Sequence, residues 1–573
     1  MAKRKKETWN SNIGAILAVA GGAVGLGNFL RFPGQVAQYG GGAFMLAYFI
    51  SLILIGLPLC WAEWTIGRHA GKLGFHSCPG VLNAIWNHRF AKYAGVIGVC
   101  IPLVIYMYYI YIASWCFGYA FNYALGNFHF DSTAQAVGFW EGFVGIKENG
   151  SAFGFTSNRV GFFLIAVFLI DFFIIYRGVT KGIEAFCKYA MPSLLVMSLI
   201  VLVRVLTLGT PDVATPHNNI NNGLGFLWNP NKITLQAQDG DHWHDLESII
   251  GPAALAEAQE RVAADTTLRL QEKTVLDQLQ RPKLWLAAAS QVFFSLTVGF
   301  GVILTYASYL KRNDDVVLSG LSAVSANEFA EVALGGLISV PAGFAFLGAA
   351  GLAGQSSFGL GFHVLPMVFS SMPLGNLFGF TFFSLLSLSA IASTLAMLQP
   401  GIAFLEEGME IGRKRSAALL VLICGIGCAF VVYFSKDVKA LDTLDFWIGS
   451  FLIFLIATIN SFIYGWGFGA QRILKEAKRG ACFPIPKIFG FIIKYISPFA
   501  LLSIAILWFI LDVLGIGAQG LDHHIAELTG TSTQAPNPVA WFSVVLILFI
   551  LTFLMLIASR AQHYKDFQKK AAK

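Results

Sequence analysis

Charge is what this sequence is short of. Asp, Glu, Lys and Arg make up 12% of the 573 residues, against about 25% in an ordinary soluble protein, while 56% of the chain is hydrophobic. That excludes a water-soluble fold, which needs polar surface the chain does not have, and equally a disordered chain or a coiled coil. Cysteine is sparse too. The eight (Cys60, Cys78, Cys100, Cys116, Cys187, Cys424, Cys428 and Cys482) fall in apolar runs or on the inner side, so no external disulfide is expected. They form no metal-ligand spacing with His. The basic start, Lys3 to Lys6, runs straight into a full apolar segment, so no cleavable signal peptide is expected. What remains is an all-α polytopic membrane protein, because a chain in lipid must close its backbone hydrogen bonds internally.

Long apolar runs are what the sequence has. Twelve can be read, near 12–36, 41–67, 93–125, 160–176, 186–208, 284–310, 319–350, 376–405, 416–435, 443–470, 484–514 and 537–559. With the N-terminus in the cytoplasm, 25 Lys and Arg fall inside and four fall in short outside loops (Lys147, Arg159, Lys436, Lys439). Positive residues stay inside, so both termini are expected in the cytoplasm. The net charge of +7 then reflects topology rather than nucleic acid. Residues 209–283 form a polar outside insertion with ten acids and six bases. Its later part, 246–281, reads as a helix with Leu268, Val275 and Leu279 on one face, an external helical hairpin lying on the membrane body.

Two spans carry the same interruption. The first contains Val24-Gly25-Leu26-Gly27 and the sixth Val298-Gly299-Phe300-Gly301, five helices apart. Paired glycines at bilayer depth invite unwinding, and unwound backbone in a membrane belongs where it lines a cavity. Free N–H groups there suit a carboxylate, and free carbonyls suit a desolvated cation. Interrupted helices at matching places in two halves point to a transporter site. Ionisable groups at membrane depth are expected to be functional. Arg31 and Asp445 flank the site on its outer side, and Glu331 follows Asn327 by one helical turn.

These residues resemble the neurotransmitter:sodium symporter family. The resemblance rests on Ala20-Gly21, the run from Ala23 to Pro33, Gly40-Gly41-Gly42-Ala43-Phe44, Gly56-Leu57-Pro58, Glu63, Gly67-Arg68, Tyr108-Tyr109, the run from Tyr306 to Tyr309, Asn327-Glu328 and Gln399-Pro400. It covers nearly the whole chain outside 209–283. It implies twelve transmembrane helices: two inverted five-helix repeats, 12–208 and 284–470, with interrupted first and sixth helices, plus two extra helices at 484–559. Residues 1–11 and 560–573 would be cytoplasmic. It implies no enzyme but a sodium-coupled symporter working by alternating access. The absence of external cysteine pairs favours a multi-pass protein of a bacterial-type plasma membrane.

The resemblance also implies site residues. The substrate carboxylate would meet Leu26, Gly27 and Tyr109, with room left by Gly25, where amine-selective relatives carry Asp. Ile105, Phe294, Thr297, Phe300, Ser393 and Met397 would line a mostly apolar pocket, implying a neutral, largely apolar amino acid. A first sodium would use the Ala23 carbonyl, Asn28, Ser295, Asn327 and the substrate carboxylate. A second would use carbonyls of Gly21, Val24 and Ser389 with the Ser393 hydroxyl, but Ala392 stands where relatives supply a further oxygen, leaving that site a ligand short. Glu331, near Tyr48 and Gln291, stands where chloride-dependent relatives have a small hydroxyl residue, which implies chloride-independent transport with a proton returning on Glu331. Arg31 and Asp445, under Phe300 and Tyr109, match an outer gate. Lys6, Trp9, Tyr309 and Glu407 match an inner one, with Lys6 in place of the family's Arg. The alternatives are a betaine- or taurine-like osmolyte cargo, a channel or water pathway, and a receptor sensing through the insertion.

Overall fold

The structure, a computed structural model, describes residues 9, 11–211, 215–239, 242–516, 521–531 and 535–571. Among them, nine helices are long and apolar enough to cross a bilayer, and the bent pair Ile13–Ala23 and Gly27–Tyr39, turned by 45°, makes a tenth. Val160–Tyr176, at 17 residues, and the pair Pro282–Leu296 and Val302–Ser308 complete a pattern consistent with twelve crossings. In chain order the spans are the bent first, Gly42–Lys72, Ala91–Ala124, Val160–Tyr176, Val179–Leu206, the interrupted sixth, Val316–Ala353, Gly375–Gly408, Arg413–Tyr433, Lys436–Ala477, Ile488–Val513 and Pro538–Arg560. The third and eighth spans form the centre of the bundle and pack on one another. They are its most completely buried long helices, whereas the eleventh and twelfth turn most of their apolar side chains outward, as lipid-facing helices do.

Close helix approach depends on particular small residues. A Cβ on Gly71 would lie 2.0 Å from the Ser308 carbonyl oxygen, and one on Gly335 would lie 2.0 Å from that of Asn28. These contacts draw the second span onto the sixth and the seventh onto the first, backbone against backbone. All eight cysteines are free thiols; seven are buried and Cys482 is exposed.

The insertion departs from the expected helix over 246–281. It contains a three-stranded antiparallel sheet: β1 (Lys232–Asp239) lies between β2 (His242–Ile249) and β3 (Leu268–Lys273). Helix Pro252–Ala264 connects β2 to β3, and a short helix, Val275–Leu279, follows. The physical cause is period. Ile233, Leu235 and Ala237 alternate with polar residues, as do Leu268 and Leu270, and this two-residue repeat puts them on one sheet face. Leu235 pairs with Glu247 on one side and Leu270 on the other. Leu268 therefore lies in a strand, apart from Val275 and Leu279. The all-α expectation holds for the membrane body and fails for this segment.

The insertion-bearing face also carries a charged clasp. His524 stacks face to face on Phe446, ring centroids 3.9 Å apart. Its ring nitrogens lie 3.4 Å from Asp442 and 3.2 Å from Asp522. Burial alone would push its pKa down, but hydrogen bonds and charge from the two carboxylates outweigh burial and raise it from 6.5 to about 9. A raised folded pKa means that the clasp stabilises in full below the unfolded value of 6.5 and loses that contribution as pH rises through about 9. Unfolding temperature measured from about pH 7 to about pH 10 is expected to fall, and His524→Gln is expected to flatten that decline.

Candidate functional site

The two interruptions meet at the middle of the bundle. In the first span, helix Asn12–Ala23 ends at Val24, whose backbone is extended. The chain then re-enters a helix whose opening, Gly27–Arg31, is a wide π turn. The freed amides have specific acceptors: Gly25 N–H donates to Asn28 Oδ1 at 2.8 Å and Leu26 N–H donates to Tyr109 OH at 2.7 Å. In the sixth span the helix stops at Leu296, and Thr297, Gly299 and Gly301 all take positive φ, of 56°, 87° and 71°. Glycine takes these angles without steric penalty. Gly299 N–H donates to Glu63 Oε1 at 3.0 Å, and Tyr464 OH donates to the same oxygen at 3.1 Å. Glu63, quoted in the motif without a role, thus holds the second interruption. Its charge within an apolar run was the available signal; nothing in the sequence pointed to Tyr464.

Gly25 faces the polar floor of this centre. A Cβ there would come within 2.4 Å of Ser393 Oγ and 2.6 Å of Tyr109 OH. Ser393 Oγ donates towards the carbonyls of Gly21 and Gly22, each at 3.4 Å. Ala392 lies against Gly21. Ser389 spends its hydroxyl on its own helix, donating to the Leu386 carbonyl at 2.9 Å. Ile105, Thr297, Phe300 and Met397 are all buried, as is Phe294. The ring beneath Arg31 is Phe294, with the guanidinium carbon 4.5 Å from its centroid. Phe300 meets Phe294 edge-on at 6.0 Å.

A buried hydrogen-bond cluster adjoins the first interruption. Asn28 Nδ2 donates to Asn327 Oδ1 at 2.8 Å, and Asn327 Nδ2 donates to Ser295 Oγ at 3.2 Å and Glu331 Oε2 at 3.0 Å. Gln291 Nε2 donates to Glu331 Oε1 at 2.5 Å, and Tyr48 OH to Glu331 Oε2 at 2.9 Å. Tyr48, Gln291, Asn327 and Glu331 are therefore brought together as the resemblance implied. Glu328 joins them through the Tyr48 hydroxyl, 2.9 Å away. The sequence motif carries Glu328 without a role; the π turn Phe329–Gly336 directly after it widens that stretch of helix.

The proposed gates differ in state. On the insertion-bearing face, Arg31 reaches Asp445 only at 4.0 Å and donates instead to Ser450 Oγ at 2.9 Å. Tyr108 OH donates to Asp445 at 2.7 Å. Arg31 and Asp445 border a cavity of about 910 Å³, also lined by Gln38, Lys283, Asp512 and His524. On the opposite face the path is sealed. Trp9, 6% exposed, donates its indole N–H to the Tyr306 carbonyl at 3.0 Å and packs edge-on against that ring. Tyr309 stacks on His76 and accepts from Gln399. Glu407 is engaged by the His76 and Ser77 amides, Ser77 Oγ and Tyr564 OH. Lys6 lies outside the described residues.

Two interrupted membrane helices with their freed backbone held by side chains, and a cavity that opens on one face and reaches Arg31, are the architecture of a membrane carrier. The chain belongs to the sodium:neurotransmitter symporter family, whose profile matches residues 6–137 and 263–566. It is a sodium-dependent transporter and not an enzyme. An uncharacterized sodium-dependent transporter of Methanocaldococcus jannaschii is 26% identical over 519 residues, covering 88% of this chain and 91% of its own. The uncharacterized sodium-dependent transporter YhdH of Bacillus subtilis is 27% identical, with 90% and 99% covered. Among solved structures, MhsT in complex with L-phenylalanine superposes with a TM-score of 0.70 at 28% identity, covering 88% of this chain and 99% of that one.

Because a methyl on Gly335 would strike the Asn28 carbonyl oxygen, Gly335→Ala is expected to destabilise by ~1–3 kcal/mol. The check is a lowered unfolding temperature of the purified protein in detergent, with Gly138→Ala, where a Cβ meets nothing within 4 Å, as the unaffected control.

Proposed function

We propose that this protein moves a neutral, largely apolar amino acid together with sodium by alternating access. The observation that carries this reading is the convergence at Gly25 of the Tyr109 and Ser393 hydroxyls with the Leu26 amide, so close that even a Cβ on Gly25 would meet both hydroxyls. A substrate carboxylate there would replace Tyr109 as partner of the Leu26 N–H and take the Gly27 N–H and the Tyr109 hydroxyl as donors. Phe294, Phe300, Ile105, Thr297 and Met397 would meet the side chain without offering a fixed charge. The likeness to a transporter solved with L-phenylalanine supports this cargo class.

One sodium would be held by the Ala23 carbonyl, Asn28, Ser295 and Asn327, completed by the cargo's own carboxylate. The shared carboxylate makes each ligand raise the affinity of the other by the same factor. The second position, built on Gly21, Val24, Ser389 and Ser393, is a ligand short at Ala392, so one sodium per cycle is the proposed coupling. Glu331 supplies a built-in negative charge beside Tyr48, Gln291 and Asn327, which makes transport independent of chloride, with a proton carried back on Glu331. The halves 12–208 and 284–470 would rock against one another, with 209–283 outside the cell, both termini in the cytoplasm, and Arg31–Asp445 and Trp9–Tyr309–Glu407 as outer and inner gates. The sealed face at Trp9 and the cavity reaching Arg31 fit a carrier with an open outer vestibule above a covered cargo centre.

Thermal-shift measurement of the purified protein against the twenty amino acids, with and without sodium, tests the cargo. A ligand at about a hundred times its Kd adds ~2.7 kcal/mol of stability. Sodium-dependent shifts are expected from apolar neutral amino acids, and shifts from charged ones alone would refute the assignment. Uptake is expected to survive chloride removal, while Glu331→Ser is expected to make uptake chloride-dependent.

A further inference from the structure

One buried acid takes no part in the site described above. Asp171 lies in the fourth span, Val160–Tyr176, and is 0% exposed. The fourth span packs against the third, eighth and ninth. The groups facing Asp171 are the hydroxyls of Tyr106 from the third span and Thr394 from the eighth; Cys424 and Cys428 of the ninth lie near Tyr106. Neither hydroxyl makes a hydrogen bond of good geometry to the acid, and both its oxygens lack a partner. Thr394 Oγ1 donates instead to the Ile391 carbonyl at 2.8 Å. Among the described residues Asp171 has no ion pair.

Unsatisfied polar atoms at full burial are rare and call for a cause. A bare carboxylate with neither cation nor water inside the bilayer is strongly disfavoured. The same group as a carboxylic acid is neutral and has a proton to donate. The groups facing it are next in the chain to two proposed cargo residues: Tyr106 follows Ile105 in the third span, and Thr394 follows Ser393 in the eighth. Any shift of these two spans around cargo changes what surrounds Asp171.

We infer that Asp171 is a proton-binding site of this transporter, separate from the Glu331 cluster, which holds a proton in the conformation described and gives it to water when the third and eighth spans move against the fourth. The O–H bond of the acid breaks, the carboxylate keeps the electron pair, and the proton leaves as hydronium. This rests on membership of the transporter family, not on the identity of the cargo.

Infrared spectroscopy of the full-length protein in lipid nanodiscs tests it. The wild-type spectrum is expected to contain the carbonyl stretch of a protonated carboxylic acid that disappears in Asp171→Asn and persists in Glu331→Gln. Thr394→Val, which removes the nearest hydroxyl of the eighth span, is expected to shift that band and serves if Asp171→Asn does not fold. Adding sodium with L-phenylalanine is expected to diminish the band, and Asp171→Asn in proteoliposomes is expected to narrow the difference in uptake between acidic and alkaline buffers by several-fold, the Glu331 contribution remaining. A band that survives Asp171→Asn, a band lost in Glu331→Gln, or a pH profile of Asp171→Asn matching wild type overturns the inference. If L-phenylalanine does nothing while the Asp171 band stands and responds to sodium alone, the cargo assignment fails and the proton site holds.

Discussion

Backbone amides released from helix inside a bilayer have no water to turn to, so each must find an acceptor in the protein or the helix will not open. Three side chains meet that demand here. Asn28 takes the Gly25 amide, Tyr109 takes the Leu26 amide, and Glu63 takes the Gly299 amide. They come from the first, third and second spans, so the two openings bind the core of the bundle together. The glycines at helix contacts serve the same end. With no Cβ at Gly71 or Gly335, neighbouring backbones come close enough for short side chains to reach across.

The acids inside the spans form a graded series. Glu63 accepts from an amide and a phenol, and Glu331 from Gln291, Asn327 and Tyr48. Glu328 shares the Tyr48 hydroxyl with Glu331. Asp171 faces the Tyr106 and Thr394 hydroxyls, but neither of its oxygens has a hydrogen-bond partner of good geometry. A buried carboxylate is tolerable when hydrogen bonds replace its hydration, so the first two are positioned by their partners while the last is the one whose environment is unfinished. That contrast, rather than burial alone, distinguishes the acids whose ionised form is met by several donors from the one whose ionised form is not.

The two faces of the molecule are built differently, and this gives the path through it a direction. Aromatic packing at Trp9 and a ring of donors around Glu407 close one end. The other end is a charged cavity whose floor is Arg31 over Phe294, held to Ser450 rather than drawn tightly onto Asp445. Arg31 stands 4.0 Å from Asp445 while bonded to Ser450, so the cation and the carboxylate share this end of the molecule without a tight pair.

Hydropathy and glycine placement were enough to read the membrane class, the spans and the two interruptions, because lipid imposes one rule on every backbone group and the chain must show its compliance locally. The polar cluster around Glu331 was also legible, through residue types that are expensive at membrane depth. The sheet in the insertion was missed because two-residue alternation in short polar segments is a weak signal beside an alanine-rich helix. What only the tertiary structure decided is which groups meet across distant spans: Tyr464 on Glu63, Ser450 on Arg31, Tyr564 on Glu407, and nothing fully bonded to Asp171. Such pairings depend on how helices hundreds of residues apart are turned towards each other, and rotation about a helix axis is set by packing against neighbours, which no local run of sequence contains.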